Sequence, residues 1–290
     1  MKRALLIAVS GIGLFCAAVA MDAMTRPQSN TEDAPAQNIA KSCPSRTLLM
    51  NWQIYHDGEP VREAPIYQLP QSQAFFFVAG MSIDADGAPN AYNADNTGLD
   101  DLQNAGHPGH WDGILADASG DPLVQGADDP FPGFYISCTA LSDRTKAPHD
   151  PARFVDASKI PYIVLPGDVS RQTGARLGDF AVVTNLRTGR SSYAIFADIG
   201  TFGEGSVALA ENLGIWSDAR NGGSRGGVLY LVFPGSGNRQ PRPIEEINSE
   251  TEKQLLDWGG MDQLNSCAAD QVPQFGPETR NHRAAPTASN

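Results

Sequence analysis

The chain has 290 residues, 41% hydrophobic and 19% charged, with a formal net charge of -12. That length admits one large domain or two small ones, and the apolar fraction is enough for a core. The acidity argues against nucleic-acid binding, which needs basic patches to displace counterions. The 29 glycines and 21 prolines favour a turn-rich β protein over a helical bundle.

At the start of the chain, Lys2 and Arg3 precede an apolar run from Ala4 to Ala20 that closes on Ala18-Val19-Ala20. A basic n-region, an apolar h-region and an A-x-A site together predict an export signal over residues 1–20. The expected location is secreted or periplasmic, without stable membrane insertion after cleavage. A short membrane anchor is the competing reading of the same run. Residues 21–40 are polar, proline-bearing and without period, which predicts a flexible linker. Residues 41–270 are expected to form a single β domain with flanking segments, and residues 271–290 a disordered tail. Strands are predicted at Ala74 to Ala79, Gly133 to Ala140, Tyr162 to Leu165, Phe180 to Asn185, Tyr193 to Ala197 and Val228 to Phe233, each apolar and bounded by turn residues. The fourth and fifth straddle "LRTGR" and read as a hairpin. Helices are predicted from Ser206 to Leu213, capped by Ser206 and stopped by Gly214, and from about Ile244 to Trp258. Together these elements imply a small, mainly β barrel. Beyond Cys16, three cysteines remain, and export permits a disulfide with one thiol left over. Cys43 and Cys267 flank the central block and are the preferred pair, leaving Cys138.

The chemistry concentrates in "YAIFADIGTFGEGSVALAENLGI", where Asp198 ends an apolar strand and Glu204 sits in a glycine-rich turn before a helix. Glycoside hydrolysis needs one carboxylic acid for the leaving oxygen and one carboxylate for water or carbon. Glycines around Glu204 leave room for a polymer, and the following helix offers free N–H groups. The plain alternative is a turn-forming aspartate and a helix-end charge. A second cluster, "AGMSIDADGAPNAYNADNTGLDD", opens like a calcium loop at Asp84 and Asp86. Its fifth, sixth and twelfth places hold Ala88, Pro89 and Asp95, where an EF-hand wants a ligand, Gly and Glu. An acidic substrate-binding loop is the better reading. His107 and His110 lack a zinc-site pattern, and there is no G-x-S-x-G for a serine nucleophile. No metal or other cofactor is expected.

The order "MSIDADGAPNAYN", "PYIVLP", "GDFAVVTNLRTGRSSYAIFADIGTFGEGSVALAENLGI", "GVLYLVFPGSG" resembles the fungal-type chitosanases of glycoside hydrolase family 75, over roughly Phe75 to Gly237. The resemblance implies that Asp198 and Glu204 are the catalytic carboxylates and that Asp84 and Asp86 bind substrate or support the site. It also implies an inverting mechanism and a compact six-stranded, double-psi-like β-barrel with a few short helices. Ala85 and Thr184 stand where the family motif has cysteines, and the Asp198-to-Glu204 connection is shorter, which suggests a divergent bacterial branch. The expected activity is endo-acting cleavage of β-1,4-linked glucosamine polymer, chitosan, a cationic partner suited to an acidic cleft. Two alternatives stand beside it: a peptidoglycan-cleaving or remodelling envelope enzyme, and a non-catalytic carbohydrate-binding envelope protein. The sequence does not indicate an oligomeric state.

Overall fold

Short apolar runs separated by turns can bury both faces only by curling into a sheet that closes on itself or is covered on both sides. The computed structural model, which describes residues 43, 45–56, 59–69 and 71–271, shows both solutions. The expected export signal, Cys16, the linker and all of the expected tail except Gln271 lie outside the described residues.

In chain order the elements are β1 (Thr47–His56), β2 (Glu59–Gln68), β3 (Phe75–Asp84), the two-residue strands β4 (Gly106–His107) and β5 (His110–Trp111), β6 (Tyr162–Leu165), α1 (Gly167–Thr173), β7 (Phe180–Asn185), β8 (Arg190–Ile199), β9 (Glu204–Ser206), α2 (Val207–Leu213), β10 (Ser224–Phe233), α3 (Ile244–Trp258) and α4 (Gly260–Ala268). Six strands run β3-β10-β7-β8-β6-β9, and β9 pairs back onto β3. The result is a closed six-stranded barrel, mainly β, with short helices around it, as expected. Pairs β3/β9 and β6/β8 are parallel, and the other barrel pairs are antiparallel. Hairpin β1–β2 extends the sheet beyond β3, in ladder register with it at Tyr67 and Gln68.

The strands read as continuous apolar runs because both of their faces are buried. Phe75, Phe77, Ala79 and Met81 of β3 pack with Val183, Phe196, Tyr230 and, from α2, Leu209 and Leu213. The alternate residues Phe76 and Val78 join Val182, Ile195 and Leu231, covered by Ile247 and Leu255 of α3 and Leu264 of α4. Full burial of each such large side chain stabilises by about 1.5–3 kcal/mol. Helix α2 starts where the Ser206 hydroxyl accepts from the Leu209 N–H at 3.1 Å, and it stops at left-handed Gly214. Cys43 and Cys267 form a disulfide that ties the start of the described chain to α4, and Cys138 is free.

Three readings of local structure change. Gly133 to Ala140 is not a strand: its backbone pairs in turn with Leu123, Tyr92 and Gly113, through isolated bridges instead of one ladder. Hairpin β1–β2 was not anticipated because Pro60 and Pro65 argue against a strand; β2 tolerates them because most of its other edge is unpaired. Glu204 is the first residue of β9, not part of a turn leading directly into a helix.

Candidate active site

Strand β6 lies between β8 and β9, and its Val164 is in register with Asp198 on one side and with Glu204 on the other. The first of these alignments depends on a bulge. Ile163 pairs with Phe196, but Val164 pairs with Asp198, so Ala197 is skipped. Such an extra residue re-aims the side chain that follows it. Two strand spacings put the backbones of Asp198 and Glu204 about 10 Å apart. Gly203, at φ 76°, lets the intervening turn press onto β3, where a Cβ would come within 2.9 Å of the Gly80 carbonyl.

Asp198, Glu204, Asp84 and Asp86 all line one open cavity of about 1100 Å³. Thus the four residues singled out in the sequence do come together. Asp84 ends β3, two places beyond Ser82, which is in register with Glu204. Its Oδ1 accepts the Asp86 N–H at 2.8 Å, and the residue is only 8% exposed. The Asp86 carboxylate accepts from the Tyr92 hydroxyl at 2.7 Å and lies so close to Gly113 that a Cβ there would meet it at 2.5 Å. Asp198 Oδ1 accepts from the N–H groups of Ala140 (3.0 Å) and Ile199 (2.8 Å). Glu204 Oε2 accepts the Thr201 N–H at 3.1 Å. The donor for Glu204 therefore comes from the glycine turn, not from the helix N-terminus.

The electrostatics follow from crowding four carboxyls into a partly dry cleft. Burial, then the charge of Asp84, raise Asp198 to about 7 against the relief given by its two N–H donors. Burial and Asp84 likewise raise Glu204 to about 8, with Asp198 adding to the load. Burial pushes Asp84 up to about 6. Asp86 rises well above the usual carboxylate range through burial and then its neighbour Asp84. Cys138 also lines the cleft, and burial beside these acids lifts its thiol to about 12. A carboxyl protonated near neutrality can donate a proton, and an ionised one can accept one; such pairs can perform acid–base chemistry. Among the described residues, no three His, Cys, Asp or Glu side chains come together with metal-holding geometry.

The chain matches the family described as fungal chitosanase of glycosyl hydrolase group 75 over residues 81–257, more than half of its length. It belongs to this family. No curated protein matches it. The family's segment begins within β3, ends within α3, and contains all four acidic residues and the bulged strand. Membership in this glycoside hydrolase family, on a closed barrel with an open acidic cleft, supports glycoside hydrolase activity toward a polysaccharide in general.

The structure adds residues that sequence reasoning missed. Asp100 lies 3.4 Å from the Tyr92 hydroxyl and accepts from Asn104 at 2.9 Å, extending the acidic network behind Asp86. Arg220 clamps the same loop: it pairs with Asp101 at 2.7 Å and donates to the carbonyls of Asn96, Gly98 and Asp100. Tyr92 and Asp100 lay inside the aspartate-rich stretch already noted, but nothing in their spacing distinguished them. Arg220 carried no signal, because its partners are more than a hundred residues away.

Proposed function

We propose that the protein is an exported, endo-acting chitosanase that hydrolyses β-1,4-linked glucosamine polymer with inversion, Glu204 serving as general acid and Asp198 as general base. One observation carries the reading: Val164 separates Asp198 from Glu204 by one strand on the wall of a single cleft. Backbones about 10 Å apart leave room for the two carboxyls to stand the roughly 6.5–9.5 Å apart that an inverting enzyme needs to admit water. Glu204, raised to about 8, holds its proton at neutral pH for the leaving oxygen. Asp198 is loaded mainly by burial and the charge of Asp84. An ammonium group of the bound sugar near Asp84 and Asp86 offsets that charge and favours the ionised base. The same two aspartates thereby bind substrate and tune the catalyst.

Export is supported by the N-terminal signal pattern and by the Cys43–Cys267 disulfide, a bond of oxidising compartments. Ala85 and Thr184, at positions where the family motif has cysteines, support a divergent, bacterial branch. The test is reducing-end release from chitosans of graded acetylation with peptidoglycan alongside, comparing wild type with Glu204→Gln and Asp198→Asn. Each variant is expected to lose at least about 10²–10⁴ in rate while remaining folded. Near-wild-type turnover by both variants, or turnover of peptidoglycan alone, defeats the reading.

A further inference from the structure

The β10 side of the cleft is built differently from the β8 side. Strand β3 lies between β9, which carries Glu204, and β10, where Ser224 is in register with Met81. The next β10 register pair is Val228 with Ala79, so Arg225, Gly226 and Gly227 all stand opposite the single residue Gly80. The bulge is held by the Ser224 hydroxyl donating to the Gly226 carbonyl at 2.7 Å and by Gly227 at φ 76°. Gly80 is itself required, because a Cβ there would come within 2.6 Å of the Ser224 carbonyl. A bulge of this kind takes a side chain out of the ladder and re-aims it. Here it delivers Arg225, exposed and on the cavity lining.

Two arginines line the cavity, and they differ in one respect. The Arg220 guanidinium is consumed by Asp101 and three loop carbonyls. The Arg225 guanidinium makes no hydrogen bond or ion pair with any described residue, and only its carbonyl is engaged, by Arg62. An uncommitted guanidinium beside an acidic cleft repels a sugar ammonium and favours a neutral acceptor such as an amide carbonyl. We propose that Arg225 creates a subsite for an N-acetylated sugar unit, so that the cleft reads the charge pattern of a partly acetylated polymer: ammonium units at the aspartates, an acetamido unit at β10. This inference rests on the chitosanase reading and assigns Arg225 a role in specificity, not in bond cleavage.

The test uses wild type, Arg225→Gln and Arg225→Glu on fully deacetylated and partly acetylated chitosan, with product ends sequenced by mass spectrometry. Wild-type products are expected to carry an acetylated unit at one fixed position from the cut more often than the polymer's composition gives. Arg225→Glu should erase that enrichment and raise kcat/KM for the deacetylated polymer relative to the acetylated one by about fivefold to tenfold, as a reversed, water-screened contact does. The change should appear chiefly in KM, with Arg225→Gln intermediate. Product ends and substrate ratios that are the same in all three proteins overturn the proposal and leave the chitosanase reading standing. A wild type inactive on both polymers overturns the two together.

Discussion

Replacing Glu204 by Gln should make the protein more stable at alkaline pH while disabling it. The substitution keeps the shape and the oxygen that accepts from Thr201, so ionisation is the main thing removed. Folding raises Glu204 from its ordinary 4.5 to about 8 and Asp198 from 3.8 to about 7. The folded state therefore binds protons more tightly than the unfolded chain, and stability falls as pH rises from the ordinary carboxylate range through the raised values. Each tenfold in proton affinity is worth about 1.4 kcal/mol, which puts the unscreened cost of ionising either group on the order of 4 kcal/mol. Both side chains border an open cleft, and water there reduces the expected gain to about 1–2 kcal/mol. Urea unfolding at pH 4 and pH 9 reads it directly. Glu204→Gln should exceed wild type at pH 9, and the difference should vanish near pH 4, where the carboxyl is protonated in both states. Because Asp198 and Glu204 load each other, the double variant with Asp198→Asn should gain less than the sum of the singles. A variant no more stable than wild type at pH 9, or a gain that persists at pH 4, refutes the argument.

Asp84→Asn and Asp86→Asn should each raise KM for chitosan, with a smaller effect at 1 M salt, where the screening length shrinks to about 3 Å; a salt-independent effect counts against charge pairing with the polymer. Removing the Cys43–Cys267 bridge by paired alanine substitution should lower stability by about 2–5 kcal/mol, given the 224-residue separation it closes, and unchanged urea unfolding excludes that role. Proton NMR of fresh product from a β-linked substrate should show the α-anomer first; an initial β-anomer means retention and a different geometry at Asp198.

Much of the barrel was legible because its strands are buried on both sides. Tyr162–Leu165 and Phe180–Asn185 are short, apolar and punctuated, and they appear where expected. Ser206 and Gly214 marked the ends of α2 through capping chemistry alone. What escaped was structure held by distant partners. The segment Gly133 to Ala140 has strand composition, yet it pairs with a different neighbour at nearly every residue. The three-residue β9 is too short to show a period; it is a strand because β3 and β6 flank it. The acidic pair was visible as residues, but its spacing across Val164 was not, since that distance belongs to β6, some forty residues earlier in the chain.

Strands β8 and β10 use the same device where they reach the cleft. At β8 one extra residue, Ala197, brings Asp198 opposite Val164 and so onto the same strand row as Glu204. At β10 an excess of two residues opposite Gly80 puts Arg225 at the cleft. A regular ladder alternates faces with a period of two, so a one-residue slip sends a side chain to the opposite face. Apolar patterning alone would therefore misplace Asp198, whose neighbours Phe196 and Ala197 are both fully buried in different clusters. A barrel whose ladders were perfectly regular would pack more simply but would not converge its polar groups. The bulges carry a local cost in lost pairing, and the crowded carboxyls carry a further cost in desolvation. Those two costs fall together at the cleft, where the polar groups converge.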